Sequence, residues 1–123
     1  MDHSNNQIDT VNTILIDVAV ESWRFARLFG RMLTKLDAGE NARYANQYRY
    51  FLKRLEESIE GAGMHLVNVE GQLYDPGMAI KTLNIEDFKP DDRLLVDQMI
   101  EPIIMGKEGV IRSGSVMLRK AEL

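Results

Sequence analysis

One row of residues limits this chain more than any other. Stepping by three and four from Ile8 gives Ile8, Val11, Leu15, Val18, Ser22, Phe25, Phe29, Met32 and Leu36, and eight of these nine are apolar. That is the a/d pattern of a helix packed along a seam. A second set, Ile14, Val20, Trp23, Leu28 and Leu33, lies beside it. The stripe is therefore wider than a two-stranded coiled coil needs, and it predicts a helix with more than one neighbour, as in a bundle. Ser4, Asn5 and Asn6 offer N-caps ahead of it. Gly30 costs about 1 kcal/mol against alanine in a helix; either it permits a close crossing or it is neutral.

Asp37-Ala38-Gly39 interrupts the pattern, and a second helix is expected from Glu40 to Glu60. Its apolar face is Tyr44, Tyr48, Phe51, Leu52, Leu55 and Ile59. A short link between two such helices predicts an antiparallel hairpin. Two helices alone cannot bury both stripes, whereas two hairpins can, so the expected form is a dimeric four-helix bundle.

The period changes at Gly61 and Gly63, glycine being the usual stop at a helix end. Met64 to Val69 alternates like a short strand, with His65, Val67 and Val69 on one side. Gly71 breaks it, and Tyr74-Asp75-Pro76-Gly77 carries turn chemistry. Ile80 to Ile85 reads as a strand, Glu86 to Asp92 as a polar turn, and Leu94 to Met105 as one or two strands interrupted at Pro102. Gly106-Lys107-Glu108-Gly109 is a turn, Val110 to Arg112 a strand, and Ser113-Gly114 a bulge or tight turn before a last strand over Ser115 to Lys120. Lys107, Arg112, Arg119 and Lys120 make this last hairpin locally basic. The fold class is α+β: a helical dimerisation module over residues 1–62 and a small all-β domain over 63–123.

Composition narrows the function. The chain has 123 residues, 45% of them hydrophobic and 28% charged, which is the balance of a folded domain. A net charge of −4 gives no footprint for nucleic acid or for an anionic membrane. No apolar run approaches a membrane span, and Met1 to Gln7 lacks the basic and apolar regions of a leader, so a soluble cytoplasmic protein is expected. Without cysteine there is no disulfide or thiolate metal site. His3 and His65 have no ligand-spaced partner, and no glycine stretch has the form of a phosphate loop. Asp91-Asp92 and Glu56-Glu57 read as solvated carboxylates. No catalytic residue, metal or cofactor is expected, so the chain reads as a binding or assembly protein and not an enzyme. Tyr, Trp and Arg on the helices, in Trp23 to Arg27 and Tyr44 to Tyr50, are residue types enriched at interface hot spots.

The second half also resembles the GrpE family, nucleotide-exchange co-chaperones of DnaK-type chaperone ATPases. Gly63-Met64-His65-Leu66-Val67 is similar to that family's exit glycine and first strand. Gly71-Gln72-Leu73-Tyr74-Asp75-Pro76 is similar to its Asp-Pro turn, and Ala79-Ile80 to the pair after it. Gly106 to Arg112, then Ser113 to Lys120, fit its closing hairpin and strand. Met78 stands where the family has histidine, and Gly-Lys-Glu-Gly replaces an Asn-Gly-Arg turn. The resemblance implies a divergent, stalk-less homodimer that binds the ATPase domain of a DnaK-like chaperone and promotes ADP release by holding its nucleotide cleft open. By position it implies partner contacts at Tyr74, Asp75, Pro76, Lys107 and Arg112, with Arg43 and Arg49 on the second helix. The alternative is a structural adaptor that reuses the fold without exchange activity.

Overall fold

Asp37 sets the junction of the helical half. Its Oδ1 accepts the Glu40 N–H at 2.9 Å, so the second helix starts at Ala38, one turn-half earlier than the sequence pattern predicts. The computed structural model describes residues 3–122, with side chains from 9 to 122. These residues form two compact units divided between Gly63 and Met64.

In the first unit, α1 spans His3–Leu33 and α2 spans Ala38–Gly61. The expected end of α1 at Leu36 is corrected to Leu33. There the Thr34 hydroxyl donates to the Arg31 carbonyl at 2.7 Å, and the Asn41 amide donates to the Leu33 carbonyl at 2.7 Å. Both take up carbonyls that a helix end leaves without partners. Ser4, Asn5 and Asn6 fall inside α1 instead of ahead of it; their side chains, and that of Ile8, lie outside the described ones.

The row of α1 that packs within the chain is not the row of large apolar residues. It is Ala19, Trp23, Ala26, Gly30 and Leu33, again at spacings of four and three, and four of these five are buried. Small residues let α2 come close. A Cβ on Gly30 would stand 2.7 Å from the Tyr48 ring, so Gly30 is the seat of that ring. Tyr48 is held there: its hydroxyl accepts from the Arg27 guanidinium at 3.4 Å, and Arg27 lies 5.5 Å over the Trp23 ring.

The second unit has six strands among the described residues: β1 His65–Val67, β2 Ile80–Thr82, β3 Leu94–Glu101, β4 Ile103–Gly106, β5 Gly109–Arg112 and β6 Gly114–Lys120. They form two three-stranded sheets, β1-β4-β5 and β2-β6-β3, with β6 parallel to β2 and every other pair antiparallel. The chain changes sheet at Pro102, which has no N–H to give a ladder, and again at Ser113. β4 and β5 form the hairpin expected around Gly106 to Gly109, but Ser113-Gly114 is a change of sheet in place of a bulge or second tight turn, so the expected basic cluster is divided between the two sheets. Arg119 pairs with Asp97 at 3.3 Å and Lys120 with Asp92 at 3.8 Å, both in the β2-β6-β3 part.

Val96, Met99, Ile104, Val116 and Leu118 fill the core of this unit. β3 is bulged near Gln98 and Met99, and the Glu70 carboxylate accepts the Met99 N–H at 2.8 Å. A bulge removes a ladder partner, and Glu70 replaces it. The expected strand over Ile80 to Ile85 stops at Thr82. Asn84 continues the pairing through its side chain, accepting from and donating to the Leu118 backbone at 2.8 and 2.9 Å, before a short 3₁₀ turn over Ile85–Asp87.

Two glycines should therefore tolerate alanine differently. At Gly114 a Cβ would stand 2.8 Å from the Glu101 carbonyl oxygen, backbone that cannot yield. Gly114→Ala should destabilise the β unit by about 1–3 kcal/mol. Gly30→Ala meets the Tyr48 ring, a side chain and not backbone, and recovers about 1 kcal/mol of helix propensity, so its loss should be smaller. Urea unfolding checks this, read by amide exchange in the β unit and by the lone Trp23 in the helical unit. A Gly114→Ala midpoint equal to wild type would refute the close approach.

Candidate functional site

The helical unit leaves its large apolar row uncovered. Val11, Ile14, Val18, Phe25, Leu28, Phe29 and Met32 are all exposed on α1, from 37% at Phe29 to 71% at Phe25. The row from Val11 to Met32 is about 32 Å long at 1.5 Å per residue. Toward its C-terminal end it opens onto a cleft of about 210 Å³ between Phe25, Ala26 and Phe29 of α1 and Gln47, Tyr48 and Phe51 of α2. The walls are almost wholly apolar. Tyr48 is a fixed wall, its ring centroid 6.3 Å from that of Phe29. Tyr44 and Phe51 continue the exposed aromatic surface on α2. Arg43 and Arg49 do not line this cleft. The Arg43 guanidinium lies 5.7 Å from the Tyr44 ring, and Arg49 donates to the Asn46 side chain at 2.6 Å, one turn back.

The β unit carries a second recess, an open groove of about 530 Å³. Its walls include Leu73, Tyr74, Pro76, Phe88, Pro90 and Leu94. Residues 71 to 74 run along the free edge of β3, with the Gly71 N–H on the Val96 carbonyl and the Tyr74 N–H on the Leu94 carbonyl, each at 2.8 Å. That pairing fixes Tyr74 beside Leu94. Asp75 is spent on the turn: its carboxylate accepts the Gly77 N–H at 3.1 Å, and its own N–H donates to the Met78 sulfur at 3.4 Å. Tyr74 and Pro76 thus share a groove, while Asp75 holds their backbone.

Lys107 sits exposed in the turn between β4 and β5. Arg112 is engaged inside the unit, donating to the Glu101 carboxylate at 3.2 Å, and Glu101 also accepts the Ser115 hydroxyl at 2.6 Å. Because β5 lies in one sheet and Glu101 and Ser115 in the other, this is a clasp between sheets. Sequence reading did not find the groove's far wall, since Phe88 and Pro90 fall in a segment that reads as a polar turn. It did not find the clasp either, because Glu101 and Arg112 meet only through the change of sheet at Pro102. His65 is an exposed strand residue opposite Met105. Among the described residues no cluster of histidine and acidic side chains could hold a metal, and no helix is long and apolar enough to cross a membrane.

Comparison with protein-family models, with curated proteins and with solved structures finds no match for the chain. The described residues thus offer two recesses for binding, an apolar cleft on the helical unit and a groove of mixed character on the β unit, where Lys89, Asp92 and Arg93 join the apolar walls.

The two hairpin cations should separate experimentally. Arg112→Ala removes a charge-assisted bond whose partners are 37% and 22% exposed, and should cost the β unit about 1–2 kcal/mol. Lys107→Ala should stay within about 0.5 kcal/mol of wild type. Equal urea midpoints for the two variants would show that the clasp adds no stability.

Proposed function

We propose that this chain is a GrpE-like exchange factor: a cytoplasmic homodimer that docks on the ATPase domain of a DnaK-like chaperone. It performs no chemistry itself. It binds the open state of the nucleotide cleft better than the closed one, and that difference in affinity is what releases ADP. The β unit supplies a contact surface around Tyr74, Pro76 and Lys107, and Arg43 and Arg49 add weaker contacts on the helical unit. The motifs at Gly63 to Val67, Gly71 to Pro76 and Gly106 to Lys120 support the family reading, as does the order of a helical unit followed by a small β unit.

The observation that carries the dimer is the uncovered row on α1. Together with Tyr44 and Phe51 it leaves on the order of 800 Å² of apolar surface exposed, taking large side chains at 150–250 Å² and about half exposure. A monomer's largest apolar patch is usually about 300–600 Å², and each partner in a standard interface contributes about 800 Å². A second hairpin on this face completes a four-helix bundle. The adaptor reading keeps the same dimer without exchange activity. It draws support from Arg112, whose guanidinium is committed to Glu101, leaving Lys107 as the exposed cation of the β4–β5 turn.

Sedimentation at micromolar concentration should give a dimer, and Phe25→Asp should give a folded monomer. A wild-type monomer would refute the bundle. Release of fluorescent ADP from a DnaK-like ATPase of the same organism should accelerate with wild type and slow at least several-fold with Tyr74→Ala. A dimer that binds the ATPase without accelerating release would favour the adaptor.

A further inference from the structure

The groove of the β unit joins apolar walls to free charge of one sign. Tyr74, Pro76, Phe88 and Pro90 give it flat, stiff walls, and Lys89 and Arg93 stand among them, both exposed. Asp92 is the acid of the same lining, and it is already engaged. Its Oδ2 accepts the Lys89 N–H at 2.9 Å and lies 3.8 Å from the Lys120 ammonium. Among the described residues no acidic side chain pairs with the Lys89 or Arg93 side chain. The charge that the groove leaves unanswered is therefore positive, on a chain whose net charge is −4.

The walls are set in advance. The Asp92 N–H donates to the Lys89 carbonyl at 3.0 Å, and with the Asp92 carboxylate on the Lys89 N–H this closes the turn over 89–92. The Phe88 N–H donates to the Ile85 carbonyl at 3.1 Å. The Arg93 carbonyl accepts the Ala121 N–H at 2.8 Å, which ties Arg93 to the chain just past the end of β6. On the opposite wall the Tyr74 N–H is held by the Leu94 carbonyl, and Asp75 fixes the turn at Pro76. These bonds use backbone and the carboxylates of Asp75 and Asp92. The cationic and apolar side chains of the lining are left for a ligand. A surface ordered beforehand loses little freedom on binding.

We propose that this groove binds an extended segment of a partner protein in which aliphatic side chains alternate with carboxylates. The recess is open, which suits a length of chain better than a small molecule that must be enclosed. Aromatic and proline walls are the surface on which extended peptides dock. Successive side chains of such a segment turn to opposite sides, so aliphatic ones lie on the apolar walls while carboxylates reach the cations. The Arg93 guanidinium can take a carboxylate through two parallel N–H bonds, and the Lys89 ammonium acts as a point charge. Nucleic acid does not fit. Its unbroken row of phosphates would pass Asp75 and Asp91, both exposed and next in the chain to the walls. The apolar walls supply affinity, and the two cations select the sign of the partner. The proposal depends on neither reading above: exchange factor and adaptor each need a protein partner, and the groove selects the chemistry that the partner presents.

The probe is a fluorescein-labelled peptide, Gly-Leu-Glu-Val-Glu-Leu-Glu-Gly, set against the same peptide with lysine for every glutamate. Fluorescence anisotropy with the full chain should show saturable binding of the acidic peptide and binding of the basic one weaker by about ten-fold or more. Added salt should weaken the acidic peptide's binding, because exposed charges are screened. Lys89→Glu combined with Arg93→Glu should invert the preference, an exchange that loss of structure would not produce. Lys89→Gln combined with Arg93→Gln, which reverses no charge, should bring the two peptides to within about two-fold of each other. Lys53→Glu, an exposed charge on α2, should leave the preference as it is in wild type. Absence of saturable binding to wild type would overturn the proposal. So would equal binding of the two peptides, or a preference that survives both double variants. An oligomer of wild type that the charge-reversed variant abolishes in sedimentation would make a second copy the occupant and overturn it too.

Discussion

The helical unit depends on how close α2 can come to α1. Alanine at 19 and 26 and glycine at 30 line one face of α1 with almost no side chain, and Tyr48 fills the space over Gly30. Close approach gives dense packing, and dense packing is where dispersion and burial stabilise most per residue. The consequence lies on the opposite side. A helix has one circumference, and a face given to small residues is a face the large ones cannot use. Val11, Val18, Phe25 and Met32 are left outside because the neighbour within the chain is seated elsewhere.

The β unit solves a different problem. Sixty residues bury only a modest core, so its two short sheets must hold each other. They do so by sharing chain. β3 runs into β4 across Pro102, and β5 runs into β6 across Ser113, so two crossings join the sheets covalently. The clasp of Arg112, Glu101 and Ser115 lies next to those crossings and ties them laterally. Bulged β3 is completed by Glu70, and the edge beyond β2 by Asn84. Each irregular place in the ladder has a side chain that takes up what the backbone leaves open.

Most of the architecture was legible in the sequence, and what was not has identifiable causes. The periods of 3.6 and 2 locate both helices and the runs that become strands, and Gly61 and Gly63 locate the change between them. Helix ends moved by a few residues because capping side chains, Asp37 and Asn41, outrank apolar periodicity there. The in-chain seam of α1 was hidden because a search for large apolar residues passes over alanine and glycine. The strand partners were hidden more deeply. The hairpin around Gly106 to Gly109 forms as read, but nothing in the sequence shows that the chain changes sheet at Ser113, leaving β5 paired with β4 and β6 between β2 and β3. With that separation, the four cations that share a sequence neighbourhood go to different places. Of the contact residues expected from the sequence, Tyr74 and Pro76 meet in a groove, Asp75 becomes the support of their turn, and Arg112 becomes internal.

A face left open by small-residue packing is not by itself a functional statement; a solvent-facing row could carry lysine and glutamate at little cost. Here it carries Phe25 at 71% exposure, with Val11 at 61%. A net charge of only −4 gives weak protection against association through such a surface. The exposed row therefore has to be satisfied by something of similar length and apolar character. A second copy is the partner always present at equal concentration. In the dimer proposed above the same exposed row stands on the α1 of the second copy, so length and apolar character match without any further partner.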